Sequence, residues 1–364
     1  MNIKKIYLTN FRNYSSLDLT LNNGVNIFLG ENGAGKTNIL EALSLSSVTV
    51  SYRTRIDSDL IKWENDSAEI RVEYERYGVT SEIKLILHKR GRKEIFVNSN
   101  KSSAKEIVGN LTTVVFSPED LMLVKGAPSL RRSFIDREIS QASPFYMDNL
   151  MRYNKVLKER NSLLKQLKEG GSRELLDIYD MQLARYAAFV AAKRIEAVGR
   201  LDKIAKAIGV EISSNKESFG LQYSLSGVEN ISEEYYLKKL KEMRERDIMR
   251  GSTGVGPHLD DLIFTINENE LKKYGSQGQQ RTAVLGIKLS EVIFLKEEKD
   301  EYPLLLLDDV LSELDEYRRN ALVKYLKNEN ITTVLTATDD SYIPKDMGRI
   351  YTVGNGEVSS KETL

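Results

Sequence analysis

The sequence contains no cysteine. That excludes disulfides, thiolate zinc sites and cysteine nucleophiles together. It has no apolar run as long as a membrane span, so no transmembrane anchor is expected. A leader is not expected either, because Met1-Asn2-Ile3-Lys4-Lys5 runs straight into an alternating strand pattern. A cytoplasmic address is the default expectation. Net charge is missing too: 53 Lys and Arg balance 53 Asp and Glu. A globally basic nucleic-acid binder is therefore not indicated. The balance is uneven along the chain, however. Residues 121–170 carry ten Lys/Arg against five Asp/Glu, and residues 71–110 carry nine against five, which is compatible with a local basic face.

What is present centres on Gly30-Glu31-Asn32-Gly33-Ala34-Gly35-Lys36-Thr37. This reads G-x-x-x-x-G-K-[ST], the phosphate-binding loop. Val25-Asn26-Ile27-Phe28-Leu29 before it has the pattern of a buried strand, and Asn38-Ile39-Leu40-Glu41-Ala42-Leu43 after it that of a helix start. Glycines let the backbone wrap an anion with its N–H groups pointing inward, and the helix N-terminus adds its positive end. Lys36 is expected on the β- and γ-phosphates of ATP, and Thr37 on Mg²⁺.

The 364 residues suffice for two domains or for one with a large insertion. Residues 3–29 alternate as two strands, the second ending in an Asn22-Asn23-Gly24 turn that feeds the loop strand. Residues 50–116 read as mainly β, with a basic turn at Lys89-Arg90-Gly91-Arg92-Lys93. From Ser143 to Gly209 the spacing becomes helical. Leu176, Tyr179, Leu183, Ala187, Val190, Val198, Leu201, Ala205 and Ile208 form one stripe interrupted by Arg194. Gly170-Gly171-Ser172 divides it from an earlier helix around Tyr153–Leu167. A projecting antiparallel arm and ordinary core helices explain the stripe equally well. The expected organisation is an α/β head, residues 1–120 and 251–364, with a helical insertion over 121–250.

Pro303-Leu304-Leu305-Leu306-Leu307-Asp308-Asp309 reads as a buried parallel strand ending in two carboxylates, a Walker B pattern. Asp308 would hold Mg²⁺ and Asp309 would polarise the attacking water. Upstream, Ser276-Gln277-Gly278-Gln279-Gln280 opens a helix and resembles the signature motif of ABC-type ATPases. In that class the signature of one subunit caps the γ-phosphate held by the other's P-loop. Ser276, Gly278 and Gln279 would then contact nucleotide across a head-to-head dimer, and Asp315 of Ser312-Glu313-Leu314-Asp315 would cross the same interface.

The whole chain resembles the RecF family, recombination-repair ATPases related to SMC heads. The matching stretches are Leu8–Tyr14, Gly30–Leu43, Tyr52-Arg53-Thr54, Phe116–Leu121, Lys125–Pro128 with Arg131-Arg132, Gly256–Asp261, Gly275–Thr282 and Leu305–Asp315. The more specific are Lys125–Arg132 and Gly256–Asp261. Where ABC transporters carry a switch histidine, this chain has Thr336-Ala337-Thr338-Asp339, and RecF-type proteins likewise lack that histidine. The resemblance implies an ABC/SMC-type P-loop ATPase head with an inserted helical arm. It further implies slow ATP hydrolysis with Mg²⁺, an ATP-dependent homodimer on duplex or gapped DNA, and action with RecO and RecR to load RecA. It places Arg12 on a nucleotide phosphate.

Candidate DNA contacts are Arg131, Arg132, Lys89, Arg90, Arg92 and Lys93, each of which is also explained as a solvated charge. His258 reads as a packing residue. An ABC transporter subunit with a membrane partner is the competing reading, disfavoured by the missing switch histidine and the Lys125–Arg132 stretch. A structural SMC-like clamp is the third, and here the arm is too short for a long coiled coil.

Overall fold

Val25–Leu29 is buried at every position and lies inside a six-stranded sheet of the computed structural model. The structure describes residues 1–170, 172–212, 217–329, 331–341, 343–344 and 346–360. Gly171 of the expected helix break lies outside them. In chain order the strands are β1 (Asn2–Phe11), β2 (Tyr14–Thr20), β3 (Val25–Leu29), β4 (Ser67–Arg76), β5 (Val79–His88), β6 (Glu94–Val97), β7 (Asn100–Ser102) and β8 (Thr113–Phe116). They continue as β9 (Phe219–Ser224), β10 (Asp261–Ile266), β11 (Asn269–Glu270), β12 (Leu304–Asp308), β13 (Thr333–Ala337), β14 (Arg349–Gly354) and β15 (Glu357–Ser360).

The chain divides into two compact units, Met1–Asp120 with Leu285–Leu364, and Leu121–Val284. The first holds two sheets. One runs β15-β14-β3-β13-β12-β8 and is parallel from β14 to β8. Its strands β3, β13 and β12, and the edge strand β8, are buried at every residue. That is why they read as unbroken apolar runs rather than alternations. The register Ala337↔Leu29 and Asp308↔Thr336 brings the carboxyl ends of β3, β12 and β13 to one edge. Ligands of parallel sheets bind at such edges. The second sheet is antiparallel, ordered β2-β1-β4-β5-β6-β7. β4 shows the alternating burial its sequence pattern predicts.

The second unit contains the helices Pro128–Ala142, Pro144–Leu167 and the 39-residue Glu174–Ile212. It also contains the small sheet β11-β10-β9. Here the structure corrects the expected boundary at 250/251. β10 pairs antiparallel with β9, Phe264 opposite Leu221, so the strand expected to return to the head stays with the insertion. The head resumes at Leu285, within the helix Gln277–Lys299. β9 is six residues long with a glycine in it, a weak local signal.

Arg194, the polar break in the helical stripe, is 3% exposed. Its Nε and Nη2 donate to the two oxygens of Asp136, both at 2.8 Å, and Nη1 donates to the Pro257 carbonyl at 2.6 Å. Arg160 is fully buried against two equally buried carboxylates, Asp180 at 2.7 Å and Asp247 at 2.8 Å. Buried charges persist only when paired in this way.

Candidate functional site

The loop after β3 needs glycine for steric reasons at its start. A Cβ on Gly30 would stand 2.2 Å from the Val353 carbonyl oxygen. At its end Gly35 has φ 114 and leads into α1 (Lys36–Val48); L side chains rarely adopt that backbone conformation. Lys36 is 6% exposed. Its ammonium donates to the carbonyls of Gly30 at 2.6 Å and Glu31 at 2.9 Å. Burial lowers the Lys36 pKa, against the opposing pull of Asp309 and Asp308. The cation is thus held directly over the loop that carries it.

Thr37 Oγ1 donates to Asp308 Oδ1 at 2.8 Å. The same oxygen accepts from Thr336 Oγ1 at 2.8 Å, and Thr336 Oγ1 in turn accepts the Asp309 backbone N–H at 2.9 Å. Burial raises the Asp308 pKa, while the two hydroxyls oppose it. Asp309 sits at φ 52, and its Oδ1 is buried with no hydrogen-bond partner. An orphaned carboxylate oxygen beside a threonine–aspartate pair suits a water and a hard cation. No group of three or more His, Cys, Asp or Glu side chains that could hold a metal occurs among the described residues. This donor set fits Mg²⁺, which keeps several waters and takes one or two protein ligands plus phosphate oxygens. Thr37 and Asp308 are the residues that would hold it.

The β1–β2 hairpin supports the loop from one flank. Asn13 Nδ2 donates to the Ala34 carbonyl at 2.9 Å and Tyr14 Oη to the Gly35 carbonyl at 3.1 Å. Arg12, expected on phosphate, is placed elsewhere. Its Nε and Nη2 donate to the fully buried Glu41 at 2.9 and 2.8 Å, and Nη1 to the Asp59 carbonyl at 3.0 Å. Glu41 also accepts from Arg53 at 3.0 Å and from Ser51 at 2.5 Å. All of these nitrogens are spent on tying the hairpin and the 51–59 segment to α1. Glu41, Asn13 and Thr336 escape sequence reasoning as site residues because their roles are contacts across the fold.

At the signature, Ser276 Oγ accepts the Gln279 N–H at 3.2 Å and Gln279 Oε1 accepts the Ser276 N–H at 2.8 Å. This reciprocal cap leaves Ser276 and Gly278 exposed. Asp315 caps the helix Glu316–Glu329, accepting the Arg318 N–H at 2.9 Å, and its side chain is 51% exposed.

The candidate DNA residues separate by burial. Arg131 is 5% exposed. It is forked onto Asp261 at 2.7 and 2.8 Å, with Nη1 on the Gly126 carbonyl at 3.0 Å. Arg132 donates to the Asp260 carbonyl at 2.7 Å. The two RecF-specific stretches therefore meet one another, and Arg131 is a buried strut rather than a surface cation. Lys93 is likewise engaged, by the Thr49 carbonyl at 2.5 Å and Asp57 at 3.1 Å. Lys89, Arg90 and Arg92 are exposed.

A P-loop on β3, paired carboxylates closing β12 and an inserted lobe define a P-loop ATPase head of the SMC type. The model of the family described as "RecF/RecN/SMC N terminal domain" matches residues 2–359. The DNA replication and repair protein RecF of Clostridium perfringens strain SM101 is 42% identical over 365 residues, covering 98% of this chain and 99% of the relative. A solved structure of the recombination mediator RecF with ATP superposes with a TM-score of 0.92 at 37% identity, covering 99% of this chain and 97% of that one. An Smc head bound to the C-terminal winged-helix domain of ScpA shares the fold alone. Its TM-score is 0.58 at 17% identity, covering 99% of this chain and 98% of that one. The chain belongs to the RecF family. No described helix is long and apolar enough to cross a membrane.

Proposed function

We propose that this protein is a recombination mediator that uses ATP as an assembly switch. It binds ATP with Mg²⁺, pairs head to head around two nucleotides on duplex or gapped DNA, and hydrolyses ATP slowly to let go. Its partners in that reading are RecO and RecR, and the outcome is RecA loading. The observation that carries the reading is the Thr37–Asp308–Thr336–Asp309 constellation at the mouth of the P-loop.

Bound Mg²⁺ would neutralise charge on the β- and γ-phosphates. The rest falls to the chain. Lys36 leaves the loop carbonyls for phosphate oxygens, exchanging neutral acceptors for charged ones. Thr336 holds the two carboxylates in register. The unpartnered oxygen of Asp309 orients a water in line with the γ-phosphate and takes its proton. The exposed helix start at Ser276–Gln279 meets the γ-phosphate of a second copy through the Ser276 hydroxyl and the Gly278 backbone. Loss of that phosphate removes a group both copies contact, so association follows nucleotide state by mass action.

The test is sedimentation of wild type and Ser276→Arg, with and without ATP·Mg²⁺ and a short duplex. Wild type is expected to become a DNA-bound dimer only with ATP, while the variant binds ATP and stays monomeric. Normal ATP-dependent pairing of Ser276→Arg would overturn the composite site. Wild type that binds ATP yet neither pairs nor holds DNA would overturn the switch.

A further inference from the structure

One face of the helix Pro144–Leu167 lines an open trough of about 460 Å³, bordered by Asn154, Leu157, Lys158, Asn161, Ser162 and Lys165. These positions recur at helical spacing, so they form one continuous stripe. From Asn154 to Lys165 the stripe runs about 16 Å. The opposite face carries the buried Tyr153, Val156, Arg160 and Leu164, which turns the stripe outward. Among the six lining residues there is no carboxylate and no aromatic ring, and Leu157 is the one apolar member.

The stripe is set up to donate. Asn161 Oδ1 accepts the Thr253 N–H at 2.8 Å and the Thr253 hydroxyl at 2.7 Å, which leaves the Nδ2 donors as the free end of that side chain. The orientation is fixed from beneath, because Thr253 Oγ1 also accepts from the fully buried Arg160 at 2.8 Å. Lys158 and Lys165 are exposed and have no carboxylate partner among the described residues. Lys168, equally without one, joins them at the helix end. There Gly251, at φ 70, closes the helix Arg244–Arg250. A Cβ on it would stand 3.1 Å from Lys165 Cγ and 3.3 Å from Lys168 Nζ, so the glycine makes room for both stems. Other exposed lysines of this unit are matched: Lys193 with Glu196 at 2.7 Å, Lys206 with Asp202 at 2.7 Å and Lys273 with Glu270 at 2.6 Å. Unmatched cations gathered along one stripe raise the local potential and draw an anion.

We propose that this trough carries the phosphate backbone of duplex DNA. The proposal rests on the DNA-binding reading and adds to it a track on the second unit, separate in the chain from the Lys89–Lys93 turn. Donors strung along about 16 Å suit an extended polyanion better than a single phosphate, and a duplex presents a charge every ~1.7 Å of its axis. Sites for single strands add aromatic rings on which bases stack. Here the lining offers charge, amide and hydroxyl only, which grips backbone and reads no sequence. A folded protein partner would need apolar anchors at the centre of its interface, and Leu157 alone does not make one.

The test is the affinity of the full chain for a short fluorescein-labelled duplex, read by anisotropy in ATP·Mg²⁺ over a range of salt. Lys158→Gln, Lys165→Gln and Lys168→Gln together should lower the slope of log affinity against log salt by about 2–3, near 0.9 per lost phosphate contact. ATP affinity and the urea midpoint should stay at wild-type values, since all three side chains are exposed. Asn161→Asp keeps an acceptor for Thr253 but replaces the free amide with a carboxylate oxygen, and should weaken duplex binding roughly tenfold or more through like-charge repulsion. The proposal is overturned if the triple variant keeps the wild-type affinity and slope, or if only its binding to a single strand of equal length falls. Loss of binding to a polyglutamate peptide at unchanged duplex affinity would overturn it in favour of an acidic protein partner. If wild type binds ATP yet holds no duplex at low salt, the DNA-binding reading fails, and the proposal with it.

Discussion

Thr37 Oγ1 lies 2.8 Å from Asp308 Oδ1, although 271 positions separate the two residues in the chain. One opens α1 behind the phosphate loop and the other closes β12, and the parallel register through β13 brings them together. The proposed Mg²⁺ site is built on this hydrogen bond from hydroxyl to carboxylate. Thr37→Ala should weaken ATP binding in Mg²⁺ by about tenfold or more, in the range of a lost metal-site contact. ATP affinity in EDTA should be unchanged. Titration calorimetry in the two buffers checks both halves, and an equal loss in both would place Thr37 on phosphate alone.

Asp309→Asn should keep ATP binding within a few-fold and reduce hydrolysis by about 100-fold or more, the usual scale for a general base. The substitution leaves the shape of the site intact and removes the proton acceptor. Single-turnover hydrolysis alongside an affinity measurement separates the two effects. Hydrolysis at the wild-type rate would remove Asp309 from the chemistry.

Arg160→Met should cost about 3–5 kcal/mol of stability, because it takes the shared guanidinium from the fully buried Asp180 and Asp247, leaving Asp180 to Arg244 and Asp247 to the Gly254 N–H. Urea unfolding followed by far-UV circular dichroism reads this as a lowered midpoint. A change under about 1 kcal/mol, the scale of an exposed pair, would mean that water reaches the network.

Acid should expose His258. Burial pushes its pKa down to about 4, and the Arg132, Arg194 and Arg160 charges add to the effect. Tyr153 Oη stands 2.5 Å from its Nδ1, with Nε2 facing the Thr253 carbonyl. The unfolded chain binds a proton near pH 6.5 that the folded chain refuses until about 4. The unfolded state thus holds more protons in between, and stability falls as pH drops through that window. Asp247 and Asp260 have raised pKa values through burial and act in the opposite sense. The informative quantity is therefore the difference between wild type and His258→Gln. The melting temperature of wild type should fall more steeply between pH 6.5 and 4; parallel curves would exclude His258 as the titrating group.

DNA affinity should respond to the exposed turn and not to the buried strut. Replacing Lys89, Arg90 and Arg92 together with alanine should lower the slope of log affinity against log salt by about 2–3, near 0.9 per lost phosphate contact. Arg131→Ala should leave the slope unchanged and lower the urea midpoint instead, since it abandons Asp261. A reversed pattern would move the DNA surface to the second unit.

The local features were legible in order along the chain. The phosphate loop between an apolar run and a helix start, the two carboxylates after Leu304–Leu307 and the serine-capped helix at Ser276 each depend on neighbours within a few residues. Strand and helix periodicity are likewise short-range, so the β-rich first third and the helical stripe could be read directly. What only the tertiary structure decided involves partners far apart in sequence. β10 belongs with β9 because a backbone ladder, and not a composition shift, settles where the insertion ends. Arg12 and Arg131 look like free cations in the sequence, yet each meets a carboxylate 29 or 130 residues away and is neutralised there. Thr336, in the segment where transporters carry a switch histidine, and Glu41, just after the phosphate loop, have no role that a motif assigns. Their importance lies in which hydroxyl or guanidinium the parallel sheet and the β1–β2 hairpin bring within hydrogen-bonding distance. Pattern specifies the elements, whereas charge pairing and domain boundary are set by packing, which a one-dimensional pattern does not encode.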